Sequence, residues 1–365
     1  MRKKFDEIFE DCTKLGTKIR TDEYHPNGKH PIIDKGQEMV AGFTDLEDGL
    51  FDAVPAIVFG DHTRIIKYVD YPFFLGADGV KVLRSKVPDA NYRYLYYALE
   101  NARIPNTGYN RHYKWLKELE IEYPPISQQI KTVKVLDEVE SIIHNRQNQL
   151  QKLDELVKAR FVELFGDPDR NPMNWETAEL KHHLEIVGGF AFKSDGFTDS
   201  GIPVLRIGNI NSGRFLPVNM VFWPEDSSLA RYKIYPGDLV MSLTGTVGKN
   251  DYGNVCILSD EYPEYYLNQR NAKLAIKATL NKHYLSEILK FSSVKKRLTG
   301  ISRGVRQANI SNGDILTLCV PIPPITLQEQ FAAFVEQTCK SKVAVQKSLD
   351  EAQLLFDSLM QQYFG

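Results

Sequence analysis

The stretch Pro124-Pro125-Ile126-Ser127 opens a segment of the chain that ends at Phe165-Gly166. A second segment opens on Pro323-Pro324-Ile325-Thr326 and ends at Phe364-Gly365. Both segments contain 43 residues, so they superimpose without a gap when the numbering is shifted by 199. Because an internal repeat determines the whole architecture, this match predicts a chain built from two related halves. The residue pairs that coincide under the shift include Gln129 with Gln328, Leu150 with Leu349 and Leu156 with Leu355.

Each segment has the apolar spacing of a long amphipathic helix. Apolar side chains recur every three or four positions, which places them on one stripe of a helix. A helix of about 38 residues would be roughly 57 Å long. Ser127 and Thr326 are predicted N-caps, and Gly166 stands where a glycine ends a helix. The first stripe contains Val133, Leu136, Val139, Ile143, Leu150, Leu153, either Leu156 or Val157, Phe161 and Leu164. The second contains Phe331, Phe334, Val335, Val343, Leu349, Ala352, Leu355, Phe356, Leu359 and Met360.

Two such stripes must be buried, and each helix is the obvious partner of the other. The first helix would leave the first globular part and arrive at the second, and the second helix would leave the second part. Such a pair is antiparallel, with one globular part at either end. The alternative packing folds each helix back on its own globular part.

The residues before each long helix contain short apolar runs broken by Gly, Pro and Asn, which is typical of strands and turns. Both regions have the same order, in which several strands are followed by one short helix. This order predicts the α+β class. The predicted strands lie at 31–33, 55–59, 73–75, 202–210 and 235–242, and the predicted short helices at 94–99 and 284–290.

The composition is that of an ordinary globular protein, with 365 residues, 42% hydrophobic and 25% charged. No apolar run approaches the roughly 18 residues that span a bilayer, and the first residues turn acidic where a signal peptide turns apolar. We therefore expect a cytoplasmic protein without a membrane partner. The four cysteines lie far apart without CxxC spacing, so we expect buried free thiols rather than a zinc site or disulfides. They are Cys12, Cys256, Cys319 and Cys339.

Basic residues cluster at the same place in each half, between the short helix and the double proline, although the net charge is −2. No acidic residue occurs between Glu100 and Glu118, and none from Ile288 to Gly313. Lys and Arg neutralise phosphates, and Arg, Asn and Gln also read base edges in the major groove. Two basic runs at matching positions therefore favour a nucleic-acid partner over a merely solvated surface.

An alignment of Gly108 with Gly300 places Arg111 on Arg303 and Lys114 on Arg306. Both runs then supply DNA contacts, although the sequence does not distinguish base contacts from phosphate contacts. The candidate DNA-binding residues are Arg103, Tyr109, Asn110, Arg111, Lys114, Lys193, Lys295, Lys296, Arg297, Arg303, Arg306 and Gln307.

Patterns for catalysis are missing from the sequence. The run TGTVGKN at 244–250 faintly resembles a phosphate-binding loop, but Leu243 replaces its first glycine and Asn250 replaces its magnesium-binding hydroxyl. We interpret this run as a glycine-containing turn between strands. Neither GxGxxG nor HExxH occurs, so we expect no catalytic, cofactor or metal site in this chain.

The order of globular part, long helix, globular part and long helix resembles the specificity subunit of type I restriction-modification systems. The resemblance covers essentially the whole chain. The first globular part matches less well, because it lacks the Phe-Lys-Ser motif. The motifs that carry the resemblance are GFAFKS at 189–194, GIPVLRIGNI at 201–210 followed by Gly213, PGDLV at 236–240, the turn with Gly245 and Gly248, and PIPPI at 321–325 followed by Gln328 and Gln330.

This resemblance implies two target recognition domains, 1–123 and 167–322, joined by two long antiparallel spacer helices, 124–166 and 323–365. Each domain would read one half of a bipartite site on double-stranded DNA. Adenine methyltransferase subunits and motor-nuclease subunits would dock on this non-catalytic chain and bring S-adenosylmethionine, ATP and magnesium. The alternative is a protein–protein scaffold whose helices bind partners without DNA recognition, which the near-neutral charge favours.

Overall fold

The structure is a computed structural model that describes residues 1–108, 110–211, 213–246, 249, 251–300 and 307–365. The chain divides into two compact units, which are Met1–Asn148 with Gln346–Gly365, and Gln149–Val345. The first unit therefore consists of two separate stretches of chain. No described helix combines the length and the apolar character needed to span a bilayer.

Short strands and short helices alternate with two very long helices, which confirms the predicted α+β class. The helices are α1 (Phe5–Ile8), α2 (Tyr92–Glu100), α3 (Tyr113–Lys117), α4 (Ile126–Phe165), α5 (Lys282–Lys290), α6 (Ser292–Thr299), α7 (Asn312–Leu316) and α8 (Ile325–Phe364). The strands are β1 (Arg2–Lys4), β2 (Phe9–Asp11), β3 (His30–Ile33), β4 (Gly42–Thr44), β5 (Ala56–Gly60), β6 (Ile66–Val69), β7 (Phe74–Leu75), β8 (Val80–Ser85), β9 (Glu120–Glu122), β10 (Thr177–Glu179), β11 (Leu184–Gly188), β12 (Ile202–Leu205), β13 (Phe222–Trp223), β14 (Lys233–Ile234), β15 (Leu239–Ser242), β16 (Thr244–Thr246), β17 (Val255–Ile257), β18 (Tyr265–Leu267), β19 (Asn271–Ile276), β20 (Gln307–Asn309) and β21 (Cys319–Pro321).

The first unit is built on a four-stranded antiparallel sheet, β2-β8-β5-β6, and a three-stranded sheet, β4-β3-β7. All residues of β5 are buried because both faces of its sheet are covered. Ile57 and Phe59 pack in one apolar cluster with Leu95 of α2, whereas Ala56 and Val58 pack in another. The strands predicted at 31–33, 55–59 and 73–75 and the helix predicted at 94–99 are confirmed.

The second unit repeats this arrangement with sheets β11-β19-β15-β17 and β13-β12-β18-β14. β12 pairs with β18 in parallel, as β3 pairs with β7 in the first unit. The strand predicted at 202–210 is shorter than expected, because it gives way to a 3-10 turn at Ile207–Asn209. The shared order of elements is confirmed, and the second unit adds the β16-β20 pair and α6.

Both long helices contain 40 residues and begin immediately after the double prolines, as the apolar spacing predicts. The carbonyl of Pro125 accepts a hydrogen bond from the backbone N–H of Gln128 at 2.9 Å. The predicted N-caps are wrong, because Ser127 and Thr326 both lie inside the first helical turn. A proline carbonyl supplies the first helical acceptor, so no side-chain cap is needed at that position.

A buried glutamine fixes the start of each long helix. Gln129 Nε2 donates to the carbonyl of Pro124 at 2.8 Å, and Gln328 Nε2 donates to the carbonyl of Pro323 at 2.8 Å. The two glutamines are related by the 199-residue shift, so the duplication extends to individual hydrogen bonds. At the other end of α4, Gly166 has φ +79°, which confirms the predicted glycine terminus.

Within the first unit, the parts of α4 and α8 that belong to it lie side by side and run antiparallel. Leu136 of α4 packs with Met360 of α8, and Arg146 Nε donates to Ser348 Oγ at 3.1 Å. Leu136 also packs on Tyr97 of α2. In this unit α4 therefore contacts both the other long helix and the globular part.

Within the second unit, the remaining parts of the two helices pair in the same antiparallel sense. Lys342 Nζ lies 2.5 Å from Asp154 Oδ1, and the ring of Phe161 meets that of Phe331 edge-on at 5.5 Å between centroids. Phe161 also stacks on Tyr284 of α5 at 5.4 Å. The predicted antiparallel pairing is thus confirmed in each unit.

The four cysteines are unpaired, but only one is fully buried. Burial raises the pKa of the Cys256 thiol to about 12. Cys319 and Cys339 are exposed, so the expectation of buried thiols is wrong for them. Cys319 belongs to a two-stranded sheet with an open face, and Cys339 lies on the solvent side of α8.

Candidate nucleic-acid interface

Within the basic stretch of the first unit, a buried histidine holds the backbone immediately before α3. The backbone N–H of His112 donates to the carbonyl of Asp61 at 2.8 Å, and His112 Nδ1 lies 3.0 Å from the same oxygen. The backbone N–H of Tyr113 donates to Asp61 Oδ1 at 2.7 Å. These contacts fix the backbone at His112 and Tyr113, and the side chains of the preceding Asn110 and Arg111 are exposed to solvent.

The other candidates of the first unit lie in different places. Lys114 is exposed on α3, with its ammonium 4.8 Å from the centroid of the Trp115 ring. Arg103 borders a separate cavity of about 330 Å³ that Glu120 also lines. Tyr109 lies outside the described residues. A phosphate beside Arg103 would therefore meet a carboxylate as well, which makes Arg103 the weakest of these candidates.

The three basic residues of α6 point to different surroundings. Lys295 Nζ donates to Asn254 Oδ1 at 2.6 Å, and burial lowers the pKa of Lys295. Lys296 is exposed, whereas Arg297 Nη1 donates to the carbonyl of Cys319 at 2.9 Å. Consecutive helical residues are separated by about 100° around the axis, so the three cations cannot share one face. Of these three, Lys296 is the most accessible to a phosphate.

Two further basic candidates of the second unit precede β20 in the sequence. Arg303 and Arg306 lie outside the described residues, and their role stays a prediction. Gln307 begins β20, which pairs with β16 so that Thr246 stands opposite Gln307. Thr244–Thr246, the first part of the TGTVGKN run, forms the strand β16, whereas the expected turn at Val247 and Gly248 lies outside the described residues.

The alignment of Lys114 with Arg306 is wrong. The shift of 199 relates α3 to α7 residue by residue, so that Lys114 corresponds to Gly313. The two glycines used for the alignment also differ, since Gly108 has φ +77° and Gly300 ends α6 with φ −69°. The second unit inserts α6 and β20 between its short helix α5 and α7, which breaks the equal spacing that the alignment assumed.

The sequence analysis missed a polar cleft in the second unit. Its volume is about 730 Å³, and the turn after β18, the turn after β12 and the 3-10 turn at Ser194–Gly196 all contribute to it. Arg206, Gln269 and Arg270 line the cleft, and no Asp or Glu is among the described residues that do so. Lys193 is exposed, and its chain neighbours Phe192 and Ser194 are both lining residues. The signal in the sequence was the polar triplet NQR directly after an apolar strand.

The fold and these surfaces define a duplicated α+β protein with two long helices and exposed basic and amide side chains in both units. Among the described residues, no group of three or more His, Cys, Asp or Glu is placed to hold a metal ion. The chain belongs to the family described as "Type I restriction modification DNA specificity domain", which matches residues 1–154 and 172–352. The resemblance found in the motifs is therefore confirmed.

Relatives of this chain carry the same description. Over 288 residues it is 26% identical to the type I restriction enzyme MjaVIII specificity subunit of Methanocaldococcus jannaschii, with 71% of this chain and 67% of the relative covered. Over 169 residues it is 23% identical to the type I restriction enzyme EcoKI specificity subunit of Escherichia coli, with 44% and 35% covered. The chain thus matches about two thirds of the first relative and about one third of the second.

Two solved structures share the fold. The type I restriction-modification S subunit from M. genitalium superimposes with a TM-score of 0.62 at 17% identity, covering 100% of this chain and 96% of that one. A chain from a study of complex assembly and conformational transition in a type I R-M system superimposes with a TM-score of 0.50 at 15% identity, covering 100% and 97%. At these identities the similarity shows the architecture.

Proposed function

We propose that this chain is the DNA specificity subunit of a type I restriction-modification complex and that it reads a bipartite duplex target. The target recognition domains are 1–123 and 167–322, and the spacer helices are 124–166 and 323–365. Each domain reads one half-site. The chain works in the cytoplasm and is not itself catalytic.

This proposal rests on hydrogen bonds that occur at equivalent positions in the two units. Tyr94 Oη donates to the carbonyl of Glu122 at 3.0 Å, and Tyr284 Oη donates to the carbonyl of Pro321 at 2.8 Å. The two acceptors are related by the 199-residue shift. One scaffold therefore occurs twice, while the exposed polar residues of the two copies differ. Two copies with different surfaces suit a protein that reads two different half-sites.

The long helices support the bipartite part of the proposal. Half-sites on one face of B-DNA lie about 34 Å apart for each helical turn between them. A helix of 40 residues is about 60 Å long, which makes it a stiff spacer of suitable size. Paired helices would thus fix the number of base pairs that are not read.

Partner subunits supply the chemistry in this proposal. Adenine methyltransferase subunits bring S-adenosylmethionine, and motor-nuclease subunits bring ATP and magnesium. The first turns of α4 offer them an apolar surface, because Ile126, Ile130 and Ile142 are 49%, 55% and 45% exposed. Large apolar side chains exposed along one helix are typical of a protein–protein contact.

A gel-shift experiment tests the proposal. The chain is co-expressed with a methyltransferase partner and mixed with random duplex DNA at several salt concentrations. We expect a shift that weakens steeply with salt, because phosphate contacts release counterions. Replacement of Arg303 and Arg306 together by Ala should weaken binding to one half-site only. Replacement of the exposed Lys340 and Lys347 on α8 removes the same charge and should change nothing.

No shift at low salt would contradict DNA recognition and favour the scaffold. If the Arg303 and Arg306 double variant still shifted DNA but lost affinity equally at both half-sites, the assignment of one domain to each half-site would be contradicted.

A further inference from the structure

A tight turn in the second unit presents two side chains that can read bases. The backbone N–H of Asn271 donates to the carbonyl of Asn268 at 2.9 Å, which places Gln269 and Arg270 at the two central positions of the turn. Both side chains are exposed and line the cleft. Among the residues that the structure describes, neither side chain has a hydrogen bond or an ion pair. They are therefore available to a ligand.

Three hydrogen bonds, in contrast, hold this turn in place. The N–H of Gln269 donates to the carbonyl of Phe190 at 2.9 Å, and the carbonyl of Arg270 accepts from the N–H of Leu243 at 2.8 Å. Asn271 Nδ2 donates to the last carbonyl of β12 at 2.8 Å. Because the backbone is already fixed, ligand binding would cost conformational entropy only in the two side chains and not in the turn itself.

The GFAFKS motif has a structural reason at this turn. A Cβ on Gly189 would stand 2.2 Å from the carbonyl oxygen of Asn268 and 2.3 Å from its carbon. Only glycine allows the chain to pass so close to the backbone of the turn. The next residue of the motif, Phe190, then supplies the carbonyl that holds Gln269. The motif therefore fixes the backbone of the turn through Gly189 and Phe190.

The first unit has different side chains at the corresponding place. The strand β7 corresponds to β18, and the residues after it are Gly76, Ala77, Asp78 and Gly79. Ala77 and the exposed Asp78 stand at the positions that correspond to Gln269 and Arg270. The backbone N–H of Ala77 donates to Tyr24 Oη at 3.2 Å rather than to a backbone carbonyl, so this segment is supported differently, and its side chains are neutral and acidic instead of neutral and basic.

We propose that Gln269 and Arg270 determine the base preference of the second unit by direct contact with base edges of duplex DNA. The cleft that they line then faces the DNA groove. Arginine makes two hydrogen bonds to guanine O6 and N7, and glutamine makes two to adenine N6 and N7. The cleft adds Arg206, and the absence of Asp and Glu among its described lining residues suits a polyanion. This inference rests on the proposed function and names residues that read the second half-site.

Selection from randomised duplex DNA tests it, with the full chain co-expressed with its methyltransferase partner. The double variant Gln269→Ala with Arg270→Ala should lose about ten- to a hundredfold of the discrimination at adjacent base pairs of one half-site. Preference at the other half-site should stay unchanged. Arg270→Lys keeps the charge but loses the planar fork, so it should retain most affinity and lose the preference.

Arg170→Ala is the matched control, because Arg170 is exposed in the same unit but does not line the cleft. It should leave every base preference as it is. Thermal unfolding of each variant should match the original chain, since all the changed side chains are exposed. An unchanged preference in the double variant would overturn the inference while leaving the proposed function intact. Enrichment of no motif by the original chain would overturn both.

Discussion

Replacement of Arg93 by Ala should destabilise the first unit strongly. Arg93 lies on α2, and its Nη2 donates to Asp137 Oδ1 and to Glu140 Oε2 of α4, both at 2.6 Å. The same nitrogen lies 2.7 Å from Tyr97 Oη, and the Tyr97 hydroxyl donates to Asp137 Oδ1 at 2.6 Å. The guanidinium carbon also lies 4.9–5.3 Å from the centroids of three tyrosine rings, those of Tyr68, Tyr96 and Tyr97.

The structure allows an estimate of the cost. Burial alone would lower the pKa of Arg93, but the hydrogen bonds with Asp137 and Glu140 outweigh it and raise that pKa. The two carboxylates are 41% and 43% exposed, so we discount each contact to about 1 kcal/mol. The cation–π contacts add about 1 kcal/mol. The loss of about 3 kcal/mol corresponds to a melting temperature lower by roughly 6–12 °C for a unit of this size.

The second unit contains a pair of residues equivalent to Arg93 and Asp137. Asn91 caps α2 and Asn281 caps α5, so Arg93 and His283 occupy the same position, and the 199-residue shift relates Asp137 to Glu336. His283 Nε2 lies 3.4 Å from Glu336 Oε1. Burial lowers the pKa of His283, so its imidazole, unlike the guanidinium of Arg93, carries no permanent positive charge at neutral pH. His283→Ala should therefore destabilise its unit less than Arg93→Ala destabilises the first.

Calorimetry combined with hydrogen exchange would measure both effects. Faster exchange should be confined to α2 and the start of α4 in the Arg93→Ala variant. Arg20→Ala breaks an isolated pair with Asp22 whose side chains are 78% and 69% exposed, and it serves as the control with almost no effect. A melting temperature within about 2 °C of the original after Arg93→Ala would refute the reasoning.

Three further predictions concern individual side chains. The pKa of His283 is lower in the folded state than its ordinary 6.5, so its contribution to stability is complete above pH 6.5 and is lost as the pH falls through the folded value. His283→Gln should therefore flatten the acid side of a plot of urea midpoint against pH, and an unchanged slope would contradict this. Gly189→Ala should lower the melting temperature, because its Cβ would overlap the carbonyl of Asn268 at 2.2 Å, and an unaltered melting curve would show that the turn can move. Lys296→Ala should reduce DNA affinity and the salt dependence by about one phosphate contact, whereas Arg297→Ala should lower stability instead, since Arg297 holds the carbonyl of Cys319. If the two variants had equal effects on DNA affinity in a salt titration, this would contradict the assignment of Lys296 to a phosphate contact and of Arg297 to a structural role.

The long helices and the order of elements could be predicted from the sequence because both depend on periodic burial. Equal segment lengths and apolar spacing identified α4 and α8 to within a few residues. The helix starts were misplaced at Ser127 and Thr326 because side-chain preferences indicate capping only when no better acceptor is present. Here the carbonyl of Pro125 already accepts from Gln128 at 2.9 Å.

The candidate site was harder to predict because it depends on contacts between residues distant in sequence. Arg297 looks like a phosphate ligand in a basic run, but its guanidinium bonds to β21. Gln269 looks like an ordinary turn residue, and its significance depends on the support of its backbone by Phe190. A charge run indicates that cations are close in sequence, whereas the fold decides which of them face the same way.

The division of the first unit into two stretches of chain has a consequence for synthesis on the ribosome. Tyr94 packs against Phe364 at 5.2 Å, and Leu136 against Met360, but both partners are translated after the entire second unit. At about 5–20 residues per second, translation of the intervening ~200 residues takes roughly 10–40 s. During that interval an apolar surface of the nascent first unit stays uncovered, while the continuous second unit can already close its core. The unit that is translated first is therefore the last to complete its packing. Until then, the nascent chain is most exposed to chaperones and proteases over α2 and the start of α4.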